Sequence, residues 1–254
     1  MSQWRPRRAM VLAAGYGKRM RPLTDDTPKP LIPVLDRPMI DCTLDRLAEA
    51  GVESVVVNAH HLAGTVEAHL AGHKEPRVTV RREERLLDTG GGIANALDLL
   101  GDEPFYVVNG DTLWLEGGEP ALEQLARRWD ESRMDALLLL AATVSAHGYG
   151  GCGDFMLEAD GAARRRQEWE VAPFAFTGVQ ILHPRLFQYA PEGPFSLNLL
   201  YDQAEASERL FGLRHDGLWF HIGSPEDLDS AEAELEDLGF RGEAETSRDK
   251  AKAG

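Results

Sequence analysis

Short apolar runs rich in β-branched residues alternate with segments of helical period over the first ~145 residues, and few folds accommodate that order. Residues 8–14 read as a strand that stops at Gly15. PMIDCTLDRLAEAG reads as a helix, with Ile40, Leu44, Leu47 and Ala48 on one face and Gly51 as its stop. SVVVN (54–58) is a buried strand, LAGTVEAHLAG a second helix, and RVTVR (77–81) another strand. GGIANALDLLG is a third helix closed by Gly101, and FYVVNGD (105–111) a strand ending in a turn. ALEQLARRWDE is helical and DALLLLAATV is assigned as a strand. The pattern predicts an α/β fold with a wound, mostly parallel sheet.

The second half is less regular. GYGGCGD (148–154) is a loop, and Asp160-Gly161 marks a hairpin between FMLEA and AARRRQEW. FAFTGVQIL is a strand, and SLNLLYDQAEASERL a helix capped by Ser196. LFGLRHDGLWFHIG reads as a hairpin around Asp216-Gly217, and PEDLDSAEAELEDLGF as a last acidic helix. No repeat or clean linker interrupts the chain. The expectation is one domain over 1–240 and a polar, frayed tail over 241–254.

The 254-residue chain carries a formal net charge of -15, from 42 acidic against 27 basic side chains. That balance argues against a nucleic-acid surface and against an anionic membrane. Its two cysteines, Cys42 and Cys152, form no CxxC pair, which fits a reducing compartment. The basic start precedes only MVLAAG, poor material for a signal peptide, and ALLLLAATV is too short to span a bilayer. A cytoplasmic protein is expected.

An acidic chain that binds phosphates must gather its cations locally, and LAAGYGKRMRPLTDDTPKPL does so. Gly15 and Gly17 sit at a strand's carboxyl end, where a wound sheet takes its ligands and where bare backbone can approach phosphate. Lys18, Arg19 and Arg21 follow, and Pro28 and Pro30 restrict the backbone around Lys29. Spacing alone also allows a solvated basic loop. The GxGxxG pattern is incomplete, because Met20 stands at the third glycine position, and no P-loop frame exists. Asp111, at the end of VVNGD, offers either a turn aspartate or a carboxylate for a divalent cation.

Taken whole, LAAGYGKRMRPLTDDTPKPL resembles the signature of the sugar-1-phosphate nucleotidyltransferases, over some twenty residues. The resemblance extends over roughly 8–240. It implies a Rossmann-like, GT-A-like nucleotidyltransferase domain, a wound mixed sheet flanked by helices, with no room for an additional β-helix domain. It implies transfer of a nucleotidyl group from an NTP to a sugar 1-phosphate, releasing pyrophosphate. Gly15, Gly17 and Arg19 would cradle phosphates, and Lys29 would stand near the α-phosphate or the sugar phosphate. Asp111 would hold Mg²⁺, with Mn²⁺ an alternative. Ala13, Ala14, Gly90 and Asn109 would contact the nucleotide, Thr177 and Gly178 the sugar. DTGGGI (88–93) is like the ETGGGI-type string of the N-acetylmuramate-1-phosphate uridylyltransferase branch, which favours UTP with N-acetylmuramate 1-phosphate. GTP with mannose 1-phosphate, or UTP or dTTP with glucose 1-phosphate, are the alternatives. No nucleic-acid or membrane partner is expected; monomer and homodimer both stay open.

One position departs from the pattern. LWFHIGSPEDL has His221 where members of the resembled family commonly carry an aspartate that serves as the second Mg²⁺ ligand. Four roles are open to it: a weak ligand favouring Mn²⁺, a phosphate contact, replacement by another carboxylate such as Asp202, or loss of catalysis in a nucleotide-binding regulatory protein. An NAD-dependent oxidoreductase is disfavoured by the cations after Gly17 and by the absence of an acidic end to VVVNAHH. His60, His61 and His69 match no zinc spacing. Arg164–Arg166 reads as a solvated hairpin, Cys152 as inert, and Trp219 and Phe220 as core.

Overall fold

The computed structural model describes residues 4–240. In chain order the strands are β1 (Arg8–Leu12), β2 (Pro33–Val34), β3 (Arg37–Pro38), β4 (Ser54–Ala59), β5 (Arg77–Arg82), β6 (Phe105–Asn109) and β7 (Leu113–Leu115). They continue as β8 (Ala136–Ala142), β9 (Ala146–His147), β10 (Phe155–Leu157), β11 (Ala163–Arg165), β12 (Phe174–Leu182), β13 (Leu210–Arg214) and β14 (Leu218–Phe220). The helices are α1 (Met39–Glu49), α2 (Ala63–Leu70), α3 (Asp88–Ala94), α4 (Leu97–Leu100), α5 (Ala121–Arg128), α6 (Asn198–Ala206) and α7 (Pro225–Asp237).

A nine-stranded sheet carries the order β11-β10-β12-β6-β1-β4-β5, with β8 beside β12 and β13 beside β8. β6, β1, β4 and β5 are parallel, so their carboxyl ends open on one edge. β12 runs antiparallel to β6 and makes the sheet mixed. The central strands are continuously apolar because both faces are covered. Ala9 and Val11 face a core shared with α1, α2 and α5, while Met10 faces one shared with α3, α4 and α6. A third cluster, including Met20, Met39, Phe220, Ile222 and Leu228, ties α7 to the loop after β1.

The strand assignment of DALLLLAATV and the hairpin at Asp160-Gly161 match β8 and the β10–β11 pair. Three expectations need correction. The segment GGIANALDLLG is not one helix: α3 starts back at Asp88, ends at Ala94, and α4 follows. Three glycines give this stretch little intrinsic helix preference, so packing sets its ends. The Asp216-Gly217 turn does not join paired strands. β13 pairs with β8 in the main sheet, while β14 pairs with β7 and β9 in a separate three-stranded sheet. His215 is buried there, its Nε2 3.1 Å from the Leu115 carbonyl, and long-range partners override the local turn signal. Finally, Leu197 rather than Ser196 occupies the N-cap position of α6. The predicted frayed tail over 241–254 lies outside the described residues.

Candidate active site

The carboxyl ends of β1, β4 and β6 and the start of α3 enclose a cavity of about 400 Å³. Its floor is Leu12, Ala13, Ala14 and Gly15, as the sequence places them. Gly15 and Gly17 are glycines for different reasons. A Cβ on Gly15 would meet no atom within 4 Å, so the bare backbone leaves open space on the cavity side. Gly17 has φ +60°, and its Cβ would lie 2.8 Å from Thr24 Cγ2. There glycine is demanded by conformation and by packing. Thr24 locks the turn by donating its hydroxyl to the Gly17 carbonyl at 2.9 Å.

Met20 explains the incomplete glycine pattern. Residues Lys18–Met20 form a 3₁₀ turn, and the Met20 side chain is fully buried in the cluster under α7. A third glycine would remove that anchor and free the loop. The turn sets Lys18 and Arg19 on the cavity wall. Arg21 does not join them; it is exposed and pairs with Asp25. A second 3₁₀ turn, Lys29–Leu31, buries Pro30 and Leu31.

That burial aims Lys29 inward. Its Nζ donates to Asp111 Oδ2 at 2.6 Å, with the lysine side chain 13% exposed and the aspartate 34%. Two residues 82 apart in sequence therefore form one charged pair at the cavity mouth. Gly110 lets the chain pass close to β1: its N–H donates to the Leu12 carbonyl at 2.9 Å.

His221 reaches the same neighbourhood from β14. Burial, then the positive charges of Arg19 and Lys29, hold its imidazole below the usual histidine range. Tyr149 stands edge-on to the ring at 5.8 Å. Gly223 is the meeting point: a Cβ there would lie 2.9 Å from His221 Nε2, 3.2 Å from Arg19 Nη1 and 3.2 Å from Asp227 Oδ2. Asp227 Oδ2 accepts from the Gly223 N–H, and Ser224 Oγ accepts from the Asp227 N–H, so the start of α7 is capped against the site. Asp202 is not a substitute carboxylate, since it pairs with Arg165 away from the cavity.

Other residues singled out in the sequence lie differently. Gly90 is buried; its N–H donates to the Phe195 carbonyl, and a Cβ would come 2.3 Å from that ring. Asp88 and Thr89 line the cavity in its place. Thr177 is buried, donating its hydroxyl to the Leu139 carbonyl, and Gly178 packs on the Asn109 side chain. Neither lines the cavity. His60 is 3.2 Å from the Tyr16 hydroxyl, and His69 pairs with Asp41. Asn58 and Leu86 also line the cavity, and no motif in the sequence marks them. A polar residue closing the buried run SVVVN was the available signal for Asn58.

Among the described residues no group of three or more His, Cys, Asp or Glu side chains gathers as a metal site. The cavity lining offers two carboxylates, Asp111 at the end of β6 and Asp88 at the start of α3. That donor set fits a hard divalent cation only where water and phosphate oxygens supply the remaining ligands.

A parallel sheet whose strand ends set Lys18, Arg19 and Lys29 around the Asp111 carboxylate is laid out to bind and react a polyphosphate. Residues 8–163 match the nucleotidyl transferase family, and the chain belongs to it. Members transfer nucleotidyl groups to sugar 1-phosphates. The N-acetylmuramate alpha-1-phosphate uridylyltransferase of Caulobacter vibrioides is 45% identical, across 91% of this chain and 97% of that relative. The protein of the same name from Neisseria meningitidis serogroup B is 36% identical, across 89% and 97%. A UDP-glucose pyrophosphorylase solved with UDP-glucose superposes with a TM-score of 0.74 at 20% identity, covering 91% of this chain and 98% of that one. The fold is thus the GT-A-like nucleotidyltransferase fold expected from the sequence.

Proposed function

We propose that this protein transfers the uridylyl group of UTP to N-acetylmuramate 1-phosphate, releasing pyrophosphate. The observation that carries the reaction class is the Lys29–Asp111 pair at the mouth of a cavity floored by bare backbone. The two uridylyltransferase relatives, matched over nearly their whole length, support the choice of base and sugar.

In this reading an oxygen of the sugar phosphate attacks the α-phosphorus in line. The α–β phosphoanhydride bond breaks and pyrophosphate leaves. A phosphate monoester dianion is already a nucleophile, so no side chain has to remove a proton. Gly15 and Gly17 let the backbone approach the phosphates, and Arg19 binds them from the wall. Lys29 offsets the charge developing at the reacting phosphate. Asp111 would hold Mg²⁺, which when bound neutralises phosphate oxygens; Mn²⁺ would serve in its place. Ala13, Ala14 and Asn109 contact the nucleotide. Gly90, Thr177 and Gly178 support the walls from behind. One sheet runs from β1 to β13, which supports reading 1–240 as a single nucleotidyltransferase domain. No helix among the described residues is long and apolar enough to cross a membrane, which is in keeping with action in the cytoplasm.

The test is pyrophosphate release across a grid of UTP, GTP, dTTP, CTP and ATP against N-acetylmuramate, mannose, glucose and N-acetylglucosamine 1-phosphates, with and without Mg²⁺ or Mn²⁺. Activity confined to UTP with N-acetylmuramate 1-phosphate, and abolished by chelator, is expected. Activity confined to another pair would replace the substrate assignment, and release unaffected by chelator would remove the metal from it.

A further inference from the structure

The cavity wall opposite Asp111 contains a buried polar device that the reaction above does not use. Asn58 and Glu83 are 2% and 4% exposed. Asn58 Oδ1 accepts from the Ala13 N–H at 2.9 Å, and Asn58 Nδ2 donates to Glu83 Oε1 at 2.7 Å. Glu83 Oε2 accepts from the Leu87 N–H at 3.0 Å, just before α3. The chain thus fastens the ends of β1, β4 and β5 and the entry to α3 to one another. Gly92 is a glycine because of it: a Cβ there would lie 2.7 Å from Asn58 Nδ2.

The network also fixes which way the Asn58 amide points. A backbone N–H can only donate, so the atom facing Ala13 is the oxygen, and the atom facing the carboxylate is the nitrogen. An amide nitrogen carries two N–H groups. Glu83 takes one, and among the described residues no acceptor takes the other. Asn58 lines the cavity beside Ala13, Leu86 and Thr89. Lys29 and Asp111 lie toward β6, on the far side of β1. Two strand spacings, about 10 Å, separate the ends of β4 and β6.

We infer that Asn58, oriented by Glu83, presents its second N–H to a ring carbonyl of the nucleobase, making Asn58 a specificity-determining residue and Glu83 a positioning residue. The inference rests on the nucleotide reading above. A bare N–H at a closed wall donates to a carbonyl oxygen and penalises a base without one, because the buried N–H is then left unpaired.

The test exchanges the two groups. Asn58→Asp with Glu83→Gln rebuilds the chain of hydrogen bonds with its central bond reversed: the Ala13 N–H to Asp, the Gln amide to Asp, the Leu87 N–H to Gln. It leaves no donor at 58. Affinities for UTP and for ribose 5-triphosphate, which has no base, are measured by calorimetry alongside Tm. The charge moved to 58 acts alike on the triphosphates of both ligands, so their ratio reports what residue 58 does at the base. We expect the double variant to recover the Tm lost in each single variant while the UTP preference over ribose 5-triphosphate falls by roughly tenfold or more. Recovered Tm with an unchanged ratio overturns the inference, and so does a wild-type protein that binds the two ligands equally. If the double variant stays unstable, wild-type protein with 2-thio-UTP and 4-thio-UTP decides, since sulfur is a weak acceptor. One of them should bind roughly tenfold more weakly than UTP; equal binding of both overturns the inference. Wild-type protein that binds neither UTP nor ribose 5-triphosphate would instead overturn the nucleotide reading itself.

Discussion

Replacing Lys29 by alanine separates two quantities that the structure makes unequal. The Lys29–Asp111 pair is 2.6 Å long, but Asp111 is 34% exposed, so water solvates the carboxylate once the lysine is gone. A partly exposed pair of this kind contributes about 1 kcal/mol to folding. For a chain of this size that corresponds to a fall in Tm of about 2–4 °C. The transition state is affected much more. Charge accumulates on the phosphate oxygens beside an ammonium that is only 13% exposed and held in place by two prolines. Loss of one such preorganised contact lowers kcat by about 10²–10³, or 2.7–4 kcal/mol. Pyrophosphate release under saturating substrates gives kcat, and a thermal melt gives the stability term. A fall in kcat below about tenfold, or a Tm drop large enough to empty the folded state at the assay temperature, would refute the reasoning. Asp111→Asn should also abolish metal-dependent turnover, with a Tm close to that of wild type. A Lys29/Asp111 double variant should be less destabilised than the sum of the singles, since the pair is shared.

Three further outcomes are expected. Gly15→Ala should leave Tm unchanged and raise KM for the triphosphate, whereas Gly17→Ala should lower stability by about 1–2 kcal/mol through its left-handed backbone; melts and kinetics on the pair distinguish the two glycines. The His221 imidazole is held below its unfolded value, so the unfolded chain binds the extra proton first, and stability should be complete above about pH 6.5 and decline as pH falls below it. His183 is depressed in the same direction, so His221→Asn should remove only part of that decline in Tm measured between pH 5 and 7.5. Met20→Ala should lower stability by about 2–5 kcal/mol in denaturant titration, because the side chain is fully buried and anchors the phosphate turn.

Much of the site was legible because its parts are local. The string from Leu12 to Leu31 encodes a strand end, two tight turns and their cations within one stretch, and Asp111 closes an apolar run that can only be a strand. The strand-end rule then brings those pieces to one edge without knowledge of any contact. Asn58 and Glu83 escaped notice because each is unremarkable in its own segment. Their meaning lies in three hydrogen bonds between segments that parallel pairing of β1, β4 and β5 brings side by side. Thr177 and Gly178 went the other way. The FTG string was legible, but it falls where β12 shifts register against β8, with the Thr177 hydroxyl donating to the Leu139 carbonyl and Gly178 packed on the Asn109 side chain. β13 and β14 likewise pair with β8 and with β7 and β9 rather than with each other, and His215 lies against the Leu115 carbonyl a hundred residues away, so the hairpin that the local sequence favoured does not form.

The sequence by itself determined the order of strands and helices, the glycine turn and the charges placed around it, since these follow from periodicity and from backbone freedom within a few residues. Only the tertiary structure decided that Lys29 pairs with Asp111, that His221 stands beside Arg19 and Asp227, and that Asn58 has a fixed orientation. Those facts depend on distances between strands remote in sequence, and such distances are set by packing on both faces of the sheet rather than by any local preference.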